Sequence, residues 1–190
     1  MNDSEFLIID TNPYKEEERI SQIKIFSLVP ETHPALKNIL KEFDFTNPPV
    51  NPTTFASSLV ETCKKYGGIG LSANQCGYEH RVFVMGANDN FVAFFNPEIT
   101  WSSKQTIKNE EGCLSFSDLF LAVERPAEIE VAYHDYMGQK KTAKFTGLTA
   151  RCFQHELDHM NGMLYTHRVK PLSLQMALKK KKKTQHSKQK

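Results

Sequence analysis

No apolar stretch of this chain approaches the roughly 20 residues that a membrane-spanning helix needs. The run Phe6 to Ile9 is only four residues long and lies among Asp3, Glu5 and Asp10, so it does not read as a secretory signal. Cysteine is scarce. The four present, Cys63, Cys76, Cys113 and Cys152, are far apart and form no C-x-x-C pair, in a 190-residue chain that can build a core without staples. They read as free thiols in a reducing compartment: the cytoplasm, an organellar matrix or stroma, or an infected cell's cytoplasm. Acid is missing from the end of the chain, where no Asp or Glu follows Asp158. Lys179 to Lys190 hold seven of the 24 Lys and Arg, and without them the formal charge falls from +2 to −5. A mildly acidic body argues against a nucleic-acid-binding face and gives no ground for a specific DNA partner, while the basic end could make a phosphate contact.

What is present suffices for one ordinary domain, because 39% hydrophobic and 11% aromatic residues rule out disorder throughout. The expected organisation is a polar arm over 1–22, a folded body over 23–178 and a basic, disordered tail over 179–190. No internal repeat is visible. Ala35, Leu36, Ile39, Leu40 and Phe43 have helical spacing over His33 to Phe45, ahead of Asn47-Pro48-Pro49. Pro52 opens a second helix, with Phe55, Leu59 and Val60 on one side, that stops before Gly67-Gly68. Then come short runs of strand formers: Val82 to Met85, Phe91 to Phe95, Leu119 to Val123, and the alternation Ile129, Val131, Tyr133. Met137-Gly138-Gln139 reads as a hairpin turn into Lys141 to Phe145. Helical spacing returns over Leu148 to Met160, closed by Asn161-Gly162, and Pro171 opens a last helix that runs into the lysines. This order predicts an α+β fold, with short antiparallel or mixed sheets packed around a central helix.

That helix carries His155-Glu156-Leu157-Asp158-His159, an H-E-x-x-H of which about 0.02 are expected by chance at this composition. Two His four residues apart lie about 40° apart around a helix and one turn along it, so both rings reach one cation and Glu156 sits beside the water to be activated. On the same wheel Leu148 and Cys152 fall within about 60° of His155, while Ala150, Phe153, Leu157 and Met160 fall opposite. One face packs and the other coordinates.

Two histidines do not complete a site. The sequence His155 to Gly162 also fits H-E-x-x-H-x-x-G of the metzincins, but where that pattern wants a third His this chain has Tyr165, and His167 comes two residues late. A thermolysin-like Glu from a later helix is excluded by the absence of acid after Asp158. The third ligand must come from upstream, or be His167 or His186. Cys152 is seven residues from His159, about 10 Å along the axis, too far for a short side chain. Cys113 is the better candidate, in Glu111-Gly112-Cys113-Leu114-Ser115 between strand-like segments, where Gly permits close backbone approach.

Gly68-Ile69-Gly70-Leu71-Ser72-Ala73-Asn74-Gln75, then Glu111 to Ser115, then Gln154 to His159 resemble, in order, the three signature motifs of peptide deformylases. The resemblance spans about Ile25 to Pro171. It implies a divalent metal, natively Fe(II), held by Cys113, His155 and His159; the donor set also suits Zn(II), Ni(II) or Co(II). It further implies Glu156 as general base, oxyanion donors from the Gln75 amide and the Leu114 N–H, and backbone pairing of an extended peptide with Ile69, Gly70 and Gly112. Leu148 and Cys152, on the metal face, are expected to floor the pocket for the methionine side chain. The implied substrate is an N-formylmethionyl nascent polypeptide, the products formate and a free amino terminus, and the lysine-rich end a candidate contact with the ribosome. Ser72 and Asn74 depart from the Ala and the Pro or small residue common in the family, and Gly67 from a common acid. The readings set against this one are a zincin-like metallopeptidase and a formyl-peptide-binding module without turnover.

Overall fold

The computed structural model describes residues 22–188, with side chains through 184, so the arm expected over 1–22 lies almost wholly outside the described residues. Helix α1 is Pro52–Lys65, α2 Gly147–Met160 and α3 Pro171–Lys188; the strands are β1 Gly70–Ser72, β2 Val82–Ala87, β3 Asn90–Ser102, β4 Thr106–Cys113, β5 Phe116–Pro126, β6 Glu128–His134 and β7 Lys140–Thr146. Strands β1-β2-β3-β6-β7 form one sheet in that order, β4 and β5 a separate hairpin, and every pairing is antiparallel.

Strand β2 explains why two helices flank one sheet. Its apolar run is continuous because both faces are covered: Val82 and Val84 join the cluster of Phe55, Leu59 and Cys63 from α1, whereas Phe83 and Met85 join that of Ala150, Phe153, Leu157 and Met160 from α2. Phe153 stands edge-on to Phe83 and Phe94, with centroids 5.1 and 5.4 Å away. The Asn51 side chain accepts the Thr54 N–H at 3.0 Å and Pro52 is the first residue of α1, which fixes its start. On the hairpin, Leu119, Leu121 and Val123 of β5 pack with Tyr165, and Leu174 and Ala177 of α3 close over them. No helix among the described residues is long and apolar enough to cross a membrane.

Two local expectations are corrected, and two strands have no counterpart in the sequence reading. His33 to Phe45 is not a helix: a 3₁₀ turn over Pro34–Lys37 ends at Asn38 in extended conformation. Tertiary partners claim its later N–H groups, Leu40 giving its own to Met160 O, Lys41 to Glu79 O and Phe43 to Asn96 Oδ1. Leu36, Leu40 and Phe43 are buried by docking, and Ile39 is left 77% exposed. Strands β1 and β4 have no apolar alternation to announce them; β4 is held by its ladder with β5, and its side chains are mostly exposed. The tail expected to be disordered from Lys179 instead continues α3 to Lys188. Lysine is a good helix former, and its charge is favourable at a helix C-terminus.

Phe153→Ala removes the ring that α2 packs edge-on against the stacked Phe83 of β2 and Phe94 of β3. The expected loss is about 3–5 kcal/mol, read as a lowered denaturant midpoint at unchanged slope.

Candidate active site

Helix α2 delivers His155, Glu156 and His159 as a buried set. The β4–β5 turn places Cys113 above them, with Sγ 3.4 Å from His159 Nε2. One ligand atom each from Cys113, His155 and His159 lies within 4.8 Å of the other two. Bond lengths of about 2.3 Å to sulfur and about 2.0–2.1 Å to nitrogen around a tetrahedral ion put such atoms roughly 3.3–3.6 Å apart, so the donors fit a single cation.

Glu111 holds this arrangement. Its carboxylate accepts from Arg125 Nε at 2.6 Å and from the Arg125 terminal nitrogen at 2.8 Å, and from Arg151 at 2.6 Å. It also meets His155 Nδ1 at 3.1 Å, which leaves Nε2 for the metal side. Arg125 extends to Asp158 Oδ2 at 2.8 Å, and Arg168 clamps the same carboxylate from the 3₁₀ turn Tyr165–Arg168. Burial works against the Glu111 charge, but the hydrogen bonds from Arg125 and His155 prevail and bring its pKa to about 2. Burial likewise disfavours a charged His155, yet hydrogen bonding to Cys113 and Glu111 carries it up to about 10. That surrounding favours a cation at this point, which a metal bound to the same donors would supply in place of the proton. His159, by contrast, is held neutral by burial and by the neighbouring positive charge of His155 and Arg125.

Ser72, outside the expected site set, ties two of its members together. Its hydroxyl donates to Glu156 Oε2 at 2.6 Å, and its N–H donates to Gln75 Oε1 at 2.9 Å. The Gln75 amide nitrogen is thereby turned toward Ser115 Oγ at 3.0 Å and Cys113 Sγ at 3.5 Å. Asn74 donates to the carbonyls of Ala35 and His159 at 3.2 and 3.0 Å, tying the end of α2 to the turn at Pro34. The other oxygen of Glu156 faces Gly70, where a Cβ would come within 2.5 Å of it, so only glycine keeps the carboxylate reachable.

A cleft of about 550 Å³ opens over the set, lined by Ile69, Gly70, Gln75, Gly112, Cys113, Leu114, Leu148, Cys152, His155 and Glu156 among others. His159 does not line it and lies beneath. Leu148 stands at the rim, and Cys152 lies deeper, its thiol 3.5 Å from Ile69 O and kept protonated by burial. The Ile69 carbonyl is engaged by the Gly86 N–H at 2.9 Å, so ladder alternation turns the N–H and C=O of Gly70 away from β2 toward the open edge. Of the remaining alternatives, His167 uses Nδ1 to accept the Leu164 N–H, and the His186 side chain lies outside the described residues. Tyr165 packs on His155 and donates its hydroxyl to Leu119 O. Arg125 and its carboxylate partners were missed because charged residues in sequence read as surface. One signal existed, since the alternation Leu119, Leu121, Val123 carried one step further puts Arg125 on the inward face.

An α+β fold that presents an H-E-x-x-H helix beneath a hairpin cysteine defines a hydrolase of the metal-dependent kind, with a cleft open at a strand edge. The chain matches the polypeptide deformylase family model over residues 25–175 and belongs to that family. It is 37% identical over 156 residues to the peptide deformylase of Phenylobacterium zucineum, covering 80% of this chain and 91% of that one. To that of Thermotoga neapolitana it is 43% identical over 113 residues, covering 60% and 69%. The crystal structure of a peptide deformylase from Synechococcus elongatus in complex with actinonin superposes with a TM-score of 0.75 at 33% identity, covering 82% and 85%.

The ionic cluster yields two expectations. Arg125→Met removes the guanidinium that joins Glu111 to Asp158, leaving each with one cationic partner, Arg151 or Arg168, and should lower stability by about 3 kcal/mol, with weakened metal retention, read by thermal melting and metal analysis. The Glu111 pKa of about 2 lies below the ordinary 4.5, so its stabilisation is complete above pH 4.5 and is lost as pH falls toward 2. Circular dichroism across that interval should show a shallower acid dependence for Glu111→Gln than for the native chain.

Proposed function

We propose that Cys113, His155 and His159 hold one divalent metal for the family's reaction, hydrolysis of the formyl group from N-formylmethionine at the amino terminus of nascent polypeptides, with Glu156 as general base. The observation that carries this is the three-donor triangle, within 4.8 Å, beside a buried carboxylate whose one uncovered side faces Gly70 and the cleft. When bound, the metal supplies Lewis-acid polarisation and lowers the pKa of water. A thiolate with two imidazoles suits Fe(II), which we infer as the native ion, as well as Zn(II), Ni(II) or Co(II).

Glu156 accepts the water proton and returns it to the leaving amine. Burial raises its pKa, against the opposing influence of His155, the Ser72 hydroxyl and Arg125, which makes it a stronger base than an exposed carboxylate. Its Oε2 is pinned by Ser72, so Oε1 is the atom presented to the cleft. The Gln75 amide, itself pinned through Oε1, and the Leu114 N–H donate to the developing oxyanion. Gly70 and Gly112 pair with the peptide backbone, whereas Ile69, expected to do the same, has its carbonyl taken by the Gly86 N–H and adds its side chain to the cleft wall; Cys152 and Leu148 line the seat of the methionine side chain. The metallopeptidase alternative has no support, because no downstream residue with a described side chain joins the donor triangle. The four cysteines are free, in keeping with work in the reducing compartment where chains are made. The exposed lysines of α3, Lys179, Lys180 and Lys182 among them, meet ribosomal RNA in this reading as the emerging substrate arrives.

Formate release from a formyl-methionyl peptide, with no new peptide-bond products, tests the reaction. Glu156→Gln should retain metal and lose about 10²–10⁴-fold in turnover; near-native turnover with metal bound refutes the base. Cys113→Ser should lose metal and activity together, whereas Cys152→Ser should keep the metal and change at most the preference for the first side chain. Deletion of residues 179–190 should weaken ribosome sedimentation in a salt-dependent way.

A further inference from the structure

Four buried side-chain atoms among the described residues have no hydrogen-bond partner: Asn74 Oδ1 and the Nδ1 atoms of His80, His134 and His159. Two of these belong to residues that already touch. The fully buried Asn74 side chain donates through Nδ2 to the His159 carbonyl at 3.0 Å and to the Ala35 carbonyl at 3.2 Å. Both bonds run to carbonyls, so the amide cannot be reversed without setting oxygen against oxygen, and Oδ1 is left as an acceptor in want of a donor. His159 is 1% exposed and turns Nε2 toward Cys113 Sγ at 3.4 Å, so Nδ1 is the nitrogen away from the donor triangle. A ring that ligates through Nε2 keeps its hydrogen on Nδ1 and needs an acceptor for it. His155 has one in Glu111, 3.1 Å from its own Nδ1. His80 and His134 pack elsewhere, on Phe43 and Phe45. One buried acceptor and one buried donor thus stand unmatched on two residues in contact.

We propose that Asn74 is a positioning residue for the metal: one buried water accepts the Nδ1–H of His159 and donates to Asn74 Oδ1, holding the second ligand ring as Glu111 holds the first. This rests on the reading above of Cys113, His155 and His159 as ligands of one divalent metal. A buried water is stable where polar groups converge on it, and these two atoms supply it with a donor and an acceptor. The bonds from Nδ2 to the His159 and Ala35 carbonyls fix the direction of Oδ1, so backbone and ring of the same ligand are tied to one side chain. The link is particular to this chain, since a proline or small apolar residue at this position has no side-chain carbonyl to offer.

The test uses the full chain loaded with Zn(II), its affinity read by chelator competition, its folding by thermal melting and its His159 ring by nitrogen-edited NMR. In the native chain Nδ1 should carry a hydrogen that exchanges slowly with solvent and gives a cross-peak to the Asn74 side-chain amide. Asn74→Ala removes the acceptor and both donated bonds, and should weaken Zn(II) binding about 10–100-fold and speed that exchange. Asn74→Asp keeps an acceptor oxygen but loses the amide donors, so its melting temperature should fall with that of the alanine variant while its Zn(II) affinity stays near native. A role in packing alone would lower affinity in both variants along with stability. Unchanged affinity in Asn74→Ala, equal losses in the two variants, or a native Nδ1 hydrogen in rapid exchange overturns this inference and leaves the metal reading in place; the last of these applies even if neither variant folds. A native chain that takes up no Zn(II) overturns the metal reading and this one with it.

Discussion

The site depends on one buried carboxylate, Glu111, and the two guanidinium groups that hold it. Glu111 lies on β4 two residues before Cys113, Arg125 on β5 and Arg151 on α2, so their hydrogen bonds lock the hairpin to the helix. Through Asp158 and Arg168 the same cluster reaches the segment that follows α2. Desolvating this many charges offsets most of their attraction, so what the cluster contributes is fixed geometry more than net stability. That geometry suspends Cys113 over His159 and commits Nδ1 of His155 to Glu111.

A second constraint acts from the other side of α2. The helix is buried almost all round because one face packs on Phe83, Phe94 and Ile129 while the other carries the donors. Donors on such a helix cannot drift, and the polar groups among them are held by named partners: Glu156 by Ser72, Gln75 by the Ser72 N–H, and the His159 carbonyl by Asn74. The departures Ser72 and Asn74 are thus not neutral replacements in this chain, since each makes a hydrogen bond that an alanine or proline could not. The position of Gly67, whose φ is +69°, follows from the turn that closes α1.

Openness at the substrate edge comes from what is absent. Gly70 leaves Glu156 Oε1 uncovered and Gly112 gives room to the Phe120 ring, while β1, at the edge of the five-stranded sheet, has backbone groups open to a partner strand. An enzyme that reads backbone at an edge and side chains in pockets can act on many nascent sequences with one fixed first residue.

What the sequence determined by itself was local. The i, i+4 histidines, the faces of α2, the proline and glycine limits of α1 and α2, and strands β2, β3, β5, β6 and β7 follow from periodicity within a dozen residues. The want of a nearby third donor pointed to Cys113 and motif resemblance added Gln75, which no periodicity could join to His155 across 42 and 80 residues. Only the tertiary structure decided the rest. Leu36, Leu40 and Phe43 share the spacing of a helix, but the N–H groups of Leu40, Lys41 and Phe43 are claimed by Met160, Glu79 and Asn96, so the segment beyond the turn at Pro34 docks as an extended strap. Glu111, Arg125 and Asp158 carry the composition of a surface and became the centre of the molecule, because a buried charge is tolerable only where the fold brings its partners to it.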